Sequence, residues 1–206
     1  WVYSFDFEVE ALINPVDACT LSENEALSIS IKNNGPDIFS SGLELPLTIL
    51  MDENILAEET LSVSTPWEPG QSITHTFIPS VDLSVIGTYN FKAFFNLKDA
   101  DDSNDTLQLA VTHHGYPVPL LPELIVTNQP DSVVLDPGSG FTSYLWNTGS
   151  TDQTIEISTW GLYTVTVSNS FGCETIDSVV VEPERFDLGM NELLSPYSNC
   201  EPGSTW

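Results

Sequence analysis

The run Gly161-Leu162-Tyr163-Thr164-Val165-Thr166-Val167 alternates its side chains with a period of two. In an extended chain that period sends Tyr163, Val165 and Val167 to one face and Leu162, Thr164 and Thr166 to the other, the pattern of a half-buried β-strand. The same alternation, rich in β-branched and aromatic residues, runs through residues 26–32, 72–77, 89–94 and 154–157. Turn formers separate these runs: Asn33-Asn34-Gly35-Pro36, Asp52-Glu53-Asn54, Glu68-Pro69-Gly70, Asp136-Pro137-Gly138 and Asn147-Thr148-Gly149. No helical period of useful length is present. Short strands punctuated at this spacing predict an all-β sandwich or barrel.

The chain has 206 residues, enough for one large domain or two small ones. Hydrophobic residues make up 41% and aromatics 10%, which suffices for a packed core. Charge is the unusual quantity: 30 Asp and Glu stand against 4 Lys and Arg, a formal net of −26. Nucleic acids and anionic lipids are held through clustered Lys and Arg, so this balance excludes nucleic-acid binding as a function class. It favours solubility and the binding of divalent cations. No apolar run approaches the roughly 20 residues that span a bilayer, and direct membrane insertion is not expected. The N-terminus has no basic, then apolar, then small-residue signal. Both ends read as cuts in a longer polypeptide.

Internal repetition supports that reading. Phe5, Asp6, Pro15 and Cys19 recur as Phe186, Asp187, Pro196 and Cys200, at one constant offset from residue 5 to residue 186. Apolar positions between them mostly coincide. The chain thus reads as one full repeat plus the first strand of the next. Within the repeat, residues 113–122 hold Pro117, Pro119 and Pro122 without alternation, as expected of a stiff extended linker.

Both halves contain a Gly-x-Tyr entering an alternating strand, Gly87-Thr88-Tyr89 and Gly161-Leu162-Tyr163. This resembles the tyrosine corner of immunoglobulin-like sandwiches. The first half further resembles a CARDB-type (cell-adhesion-related) sandwich through Ile29-Ser30-Ile31-Lys32-Asn33-Asn34-Gly35, Glu68-Pro69-Gly70, Asp82-Leu83-Ser84 and Ser103-Asn104-Asp105-Thr106-Leu107. The second is similar to short immunoglobulin- or PKD-like modules of giant secreted Bacteroidota proteins, through Tyr144-Leu145-Trp146-Asn147-Thr148-Gly149 and Phe171-Gly172-Cys173. Those proteins are surface adhesins, filaments and multidomain enzymes exported by the type IX route. The resemblance implies tandem immunoglobulin-like β-sandwich domains joined by a Pro-rich linker. A CARDB-like sandwich would occupy residues 1–113, the linker 114–122 and a small immunoglobulin- or PKD-like sandwich 123–183. The first strand of a truncated next CARDB-like repeat would fill 184–206.

In such a sandwich Cys19 follows the first strand and Cys173 lies in the loop between the last two strands. With modules placed end to end these loops face each other. The resemblance therefore implies a Cys19–Cys173 disulfide clamping the linker, with Cys200 pairing outside the fragment. The alternative is three free, partly buried thiols. No Cys-x-x-Cys pair or Cys/His cluster suggests zinc.

Asp99-Ala100-Asp101-Asp102-Ser103-Asn104-Asp105 offers oxygen donors at near-alternate positions of one loop. Hard cations such as calcium take six to eight oxygens, and Asp99, Asp101, Asp102, Asn104 and Asp105 are candidate ligands. The spacing departs from the EF-hand loop, and the alternative is an acidic turn capping the next strand. Trp67 and Trp160 sit in turns, where they could stack on sugars or pack at a domain junction. Thr106, Ser132 and Ser178 fall in Asp-Ser/Thr-aliphatic triplets resembling the O-glycosylation motif of exported Bacteroidota proteins. The adjacent His113 and His114 read as a solvated linker pair, and His75 as a satisfied strand residue. No nucleophile elbow or Ser/His/Asp order stands out, and no catalytic residue is assigned. The expected protein is secreted and at the cell surface. It is a non-enzymatic repeat of an adhesin, stalk or filament, partnered by adjacent repeats. The alternatives are a module binding surface glycans and accessory domains of a secreted enzyme.

Overall fold

The computed structural model describes residues 4–184. The second copy of the repeated lettering, with Cys200, lies outside them. The described residues form two compact units. The first comprises residues 4–118 with Gly140–Ser143 and Val167–Thr175; the second comprises Pro119–Ser139, Tyr144–Thr166 and residues 176–184. Residues 114–122 carry no strand.

In the first unit the strands are β1 (Phe7–Asn14), β2 (Ser28–Asn33), β3 (Glu44–Met51), β4 (Asn54–Ser62), β5 (Ser72–Thr76), β6 (Gly87–Phe95) and β7 (Thr106–His113). They make two sheets, in the orders β1-β2-β5 and β4-β3-β6-β7, with antiparallel pairing throughout. The period-two pattern drives this packing. Phe7 and Val9 of β1, Leu45, Leu47 and Ile49 of β3, and Phe91, Ala93 and Phe95 of β6 are buried in one core with Trp67 and Leu83. Asp52 and Glu53 join β3 to β4 with Met51 paired to Asn54, leaving a two-residue hairpin loop. Both residues have left-handed backbones (φ 47° and 66°), as the turn matching strand twist requires. Asp52 further accepts the Asn90 N–H at 3.0 Å, tying the turn to β6.

The remaining elements are β8 (Leu124–Val126), a 3-10 turn at Pro130–Ser132, β9 (Val134–Leu135), β10 (Ser143–Trp146), β11 (Ile155–Glu156), β12 (Gly161–Ser168) and β13 (Glu174–Glu182). Most of their residues form the second unit, the ends of β10, β12 and β13 at residues 143, 167–168 and 174–175 belonging to the first. The sheet order is β10-β12-β13-β8, with β8 running parallel to β13, and β9 pairs with β11. Trp146, Tyr163, Val165, Val179 and Val181 are buried. The indole N–H of Trp146 donates to the Asp152 carbonyl at 2.9 Å, which removes the cost of burying it. The chain is all-β with sandwich-like sheets.

Both tyrosine corners form. Tyr89 Oη–H donates to the Val85 carbonyl at 2.7 Å, and Tyr163 Oη–H to the Thr159 carbonyl at 2.8 Å, each four residues back.

Candidate metal centre

The loop from Asn96 to Asp105 connects β6 to β7, where Phe94 pairs with Thr106. Within it the carboxylates of Asp99, Asp102 and Asp105 converge, their oxygens lying within 4.8 Å of one another. Asp99 and Asp105 are buried and Asp102 is exposed, so one side of the cluster faces solvent. Asp99 is held from two directions. Its Oδ2 accepts the Phe7 N–H at 2.7 Å and its Oδ1 the Asp101 N–H at 3.0 Å. Burial, and the carboxylates of Asp99, Asp102, Asp6 and Asp101 around it, push the Asp105 carboxyl up to about 7.

The five residues expected as ligands do not all converge. Asp101 Oδ1 is occupied by the hydroxyl and N–H of Ser103, which hold its carboxyl below the ordinary range. Asn104 donates from Nδ2 to Asp6 Oδ1 at 2.8 Å, while its Oδ1 is buried with no hydrogen-bond partner. A buried amide oxygen left unpaired costs free energy. The donor set is oxygen alone, which suits a hard divalent cation and not zinc or copper. Asp99, Asp102 and Asp105 could therefore hold a metal ion. Asp6 was not singled out from sequence. Its recurrence as Asp187 is the signal that could have drawn attention to it.

Cys19 and Cys173 are joined by a disulfide, with S–S 2.07 Å and Cα–Cα 5.7 Å. Cys173 lies in the Val167–Thr175 segment that belongs to the first unit. Asn169 supports this segment, donating from Nδ2 to the Gly115 carbonyl at 2.8 Å and accepting the Cys173 N–H at 3.1 Å.

Two expectations are corrected. Trp67 is 1% exposed and cannot present a face to a sugar. It stacks on Phe7 at 5.2 Å, donates its indole N–H to the Gln71 carbonyl, and exchanges two backbone hydrogen bonds with Phe39. His113 is buried rather than solvated. Its Nδ1 lies 2.8 Å from the Leu83 carbonyl and its Nε2 3.3 Å from that of Cys19. Trp160 is 48% exposed and donates to the Thr127 carbonyl. Thr106, Ser132 and Ser178 are all exposed. His75 pairs with Glu59 at 3.0 Å and meets Phe77 edge-on.

Known structures with similar folds include a domain ascribed to a cell surface protein of Methanosarcina acetivorans (TM-score 0.40, 15% identity, covering 57% of this chain and 98% of that one). The CARDB domain of a Pyrococcus furiosus protein is similar in two structures, each covering 54% of this chain and 94% of that one. The first is a solution structure (TM-score 0.37, 13% identity), the second a crystal structure in complex with di-metal ions (TM-score 0.36, 14% identity). No protein-family model and no curated protein matches the sequence.

Proposed function

We propose that this chain is a non-catalytic structural segment of an extracellular surface protein whose β6–β7 loop holds a calcium ion. The observation that carries the reading is the convergence of Asp99, Asp102 and Asp105, two of them buried, on a loop that also hydrogen-bonds the first strand. Like carboxylates buried this closely repel one another unless a cation lies among them or one takes a proton. Calcium, which accepts irregular sets of carboxylate, amide and water oxygens, suits the site better than magnesium, which demands near-ideal octahedral geometry.

An extracellular setting is supported by the Cys19–Cys173 bond, since disulfides persist in oxidising compartments. The low count of 4 Lys and Arg suits a surface that stays soluble and self-repelling. Adjacent repeats of the same polypeptide are the partners in this reading, forming a stalk or filament. Membership among the exported Bacteroidota repeat proteins belongs to the same proposal.

Calorimetric titration of the whole chain with calcium, paired with thermal melts in calcium and in EDTA, tests the site. Binding heat with a raised melting temperature supports it; no heat and no shift removes it. The glycan alternative now rests on Trp160 alone, and a glycan array with and without Trp160→Ala decides it.

A further inference from the structure

Resting on that cation reading, we propose that the acidic loop is a cation-dependent clasp on the first strand. An ion at Asp99, Asp102 and Asp105 would seat the loop on residues 5–9, and removal of the ion would loosen both together.

β1 lies at the edge of its sheet, with β2 as its one strand neighbour. The far side of its leading end is covered by the acidic loop. Asp99 Oδ2 accepts the Phe7 N–H at 2.7 Å, the Ala100 N–H donates to the Phe5 carbonyl at 3.0 Å, and the Val9 N–H donates to the Asn104 carbonyl at 3.1 Å. A side-chain bond from Asn104 to Asp6 completes the set. These holding groups and the candidate ligands come from the same short loop. Asp99 serves both sets, and Asn104 binds the strand with its carbonyl and Nδ2 while its Oδ1 is left unpartnered.

The charges give the coupling its sign. Asp6 enters with the strand, and Asp99, Asp101, Asp102 and Asp105 belong to the loop, as does Lys98, whose one positive charge leaves these carboxylates in excess. Among the described residues the ion pairs are Lys32–Glu8 and His75–Glu59, and neither lies in this loop. In the absence of a cation, moving the loop away from Asp6 relieves repulsion. With one bound, the same carboxylates are drawn inward and the strand's amides keep their acceptors. Two anchors are independent of the ion: the N–H groups of Asn34 and Gly35 both donate to the Asp6 carbonyl. Gly35 leaves room for this seat, since a Cβ there would meet Asp6 N at 2.9 Å. The clasp is therefore read at Phe7 and Val9, whose amides point to the loop.

The test is residue-resolved amide hydrogen exchange of the whole chain in calcium and in EDTA, beside a calcium titration of the same sample. Calcium is expected to slow exchange at Phe7 and Val9 by about tenfold or more while leaving unchanged the β3 amides and those of β6 other than Phe95, whose N–H donates to the Asp105 carbonyl. Asp102→Asn removes a candidate ligand that takes no part in the bonds to β1. It should abolish both the binding heat and the calcium-induced slowing, with exchange in EDTA no faster than in the parent, since a repelling charge is removed; Asp105→Asn serves as the second variant should Asp102→Asn not fold. Binding heat with unchanged exchange at Phe7 and Val9 overturns the clasp and leaves the site standing. No binding heat overturns both.

Discussion

Asp99 Oδ2 and the backbone N–H of Phe7, 92 residues apart in sequence, are joined by a buried hydrogen bond of 2.7 Å. One carboxylate thus fastens the first strand and helps build the candidate cation site. Removing the acceptor strands a buried N–H, which costs about 1–3 kcal/mol. Asp99→Ala is therefore expected to lower stability in calcium by at least that amount, measured by urea denaturation. A calcium-saturated variant as stable as the parent would contradict this role.

Substitution at Asp105 should change sign with the medium. Asp105 is 7% exposed as a residue, and its carboxylate is repelled by four others. Asp105→Asn removes a repelling charge, so in EDTA at alkaline pH the variant should melt higher than the parent. In calcium it should melt lower, having lost a ligand. Melting curves in the two buffers check both signs.

The pH dependence without cation follows from the same group. The Asp105 carboxyl is raised from an ordinary value of 3.8 to about 7 in the folded chain, so the folded state binds the proton more tightly than the unfolded one. The resulting stabilisation is fully present below about pH 3.8 and is lost as pH rises through about 7. Cation-free protein should therefore lose stability between pH 5 and pH 8 through this group, and Asp105→Asn should flatten that stretch. Calcium should raise the melting temperature more at pH 8 than at pH 5, because it competes with the proton.

Much of the fold was legible because strand periodicity is local. Residues 89–94 and the stretch around Tyr163 alternate cleanly, and both lie in central strands whose alternate side chains are buried. The Asp52-Glu53 turn and the tyrosine corners were legible for the same reason. Trp67 was not. It sits in Pro66-Trp67-Glu68-Pro69, outside any alternating run, and is buried because its backbone bonds to Phe39 fold the loop over Phe7. His113 was misread likewise, its burial depending on carbonyls supplied by Leu83 and Cys19. At the acidic loop, spacing revealed the oxygen donors but not their division of labour. Ser103 capturing Asp101, and Asn104 turning to Asp6, are contacts that no local pattern encodes.

The two tryptophans first grouped together should separate sharply. Trp67→Ala empties a fully buried site and is expected to cost about 3–5 kcal/mol. Trp160→Ala, at a half-exposed position, should change stability by no more than about 1 kcal/mol. Denaturant midpoints of the two variants make the comparison.

Neither Cys19 nor Cys173 should react with a thiol label until the protein is reduced. The Cys19→Ala/Cys173→Ala variant should lose stability by up to about 5 kcal/mol, the chain-entropy value for so long a loop. Labelling of either residue in oxidised protein would exclude the bond.

The sequence separation of 154 from Cys19 to Cys173 also sets how far this stretch can be drawn out. Tension applied at the two chain ends passes through the sulfur–sulfur link, and the enclosed residues stay slack however completely they unravel. At about 3.4 Å per residue the link withholds roughly 500 Å of contour. The reach of this stretch under load is thus governed by the redox potential of the surroundings: shorter by that contour where thiols are oxidised, and longer by it where a reductant cuts the bond.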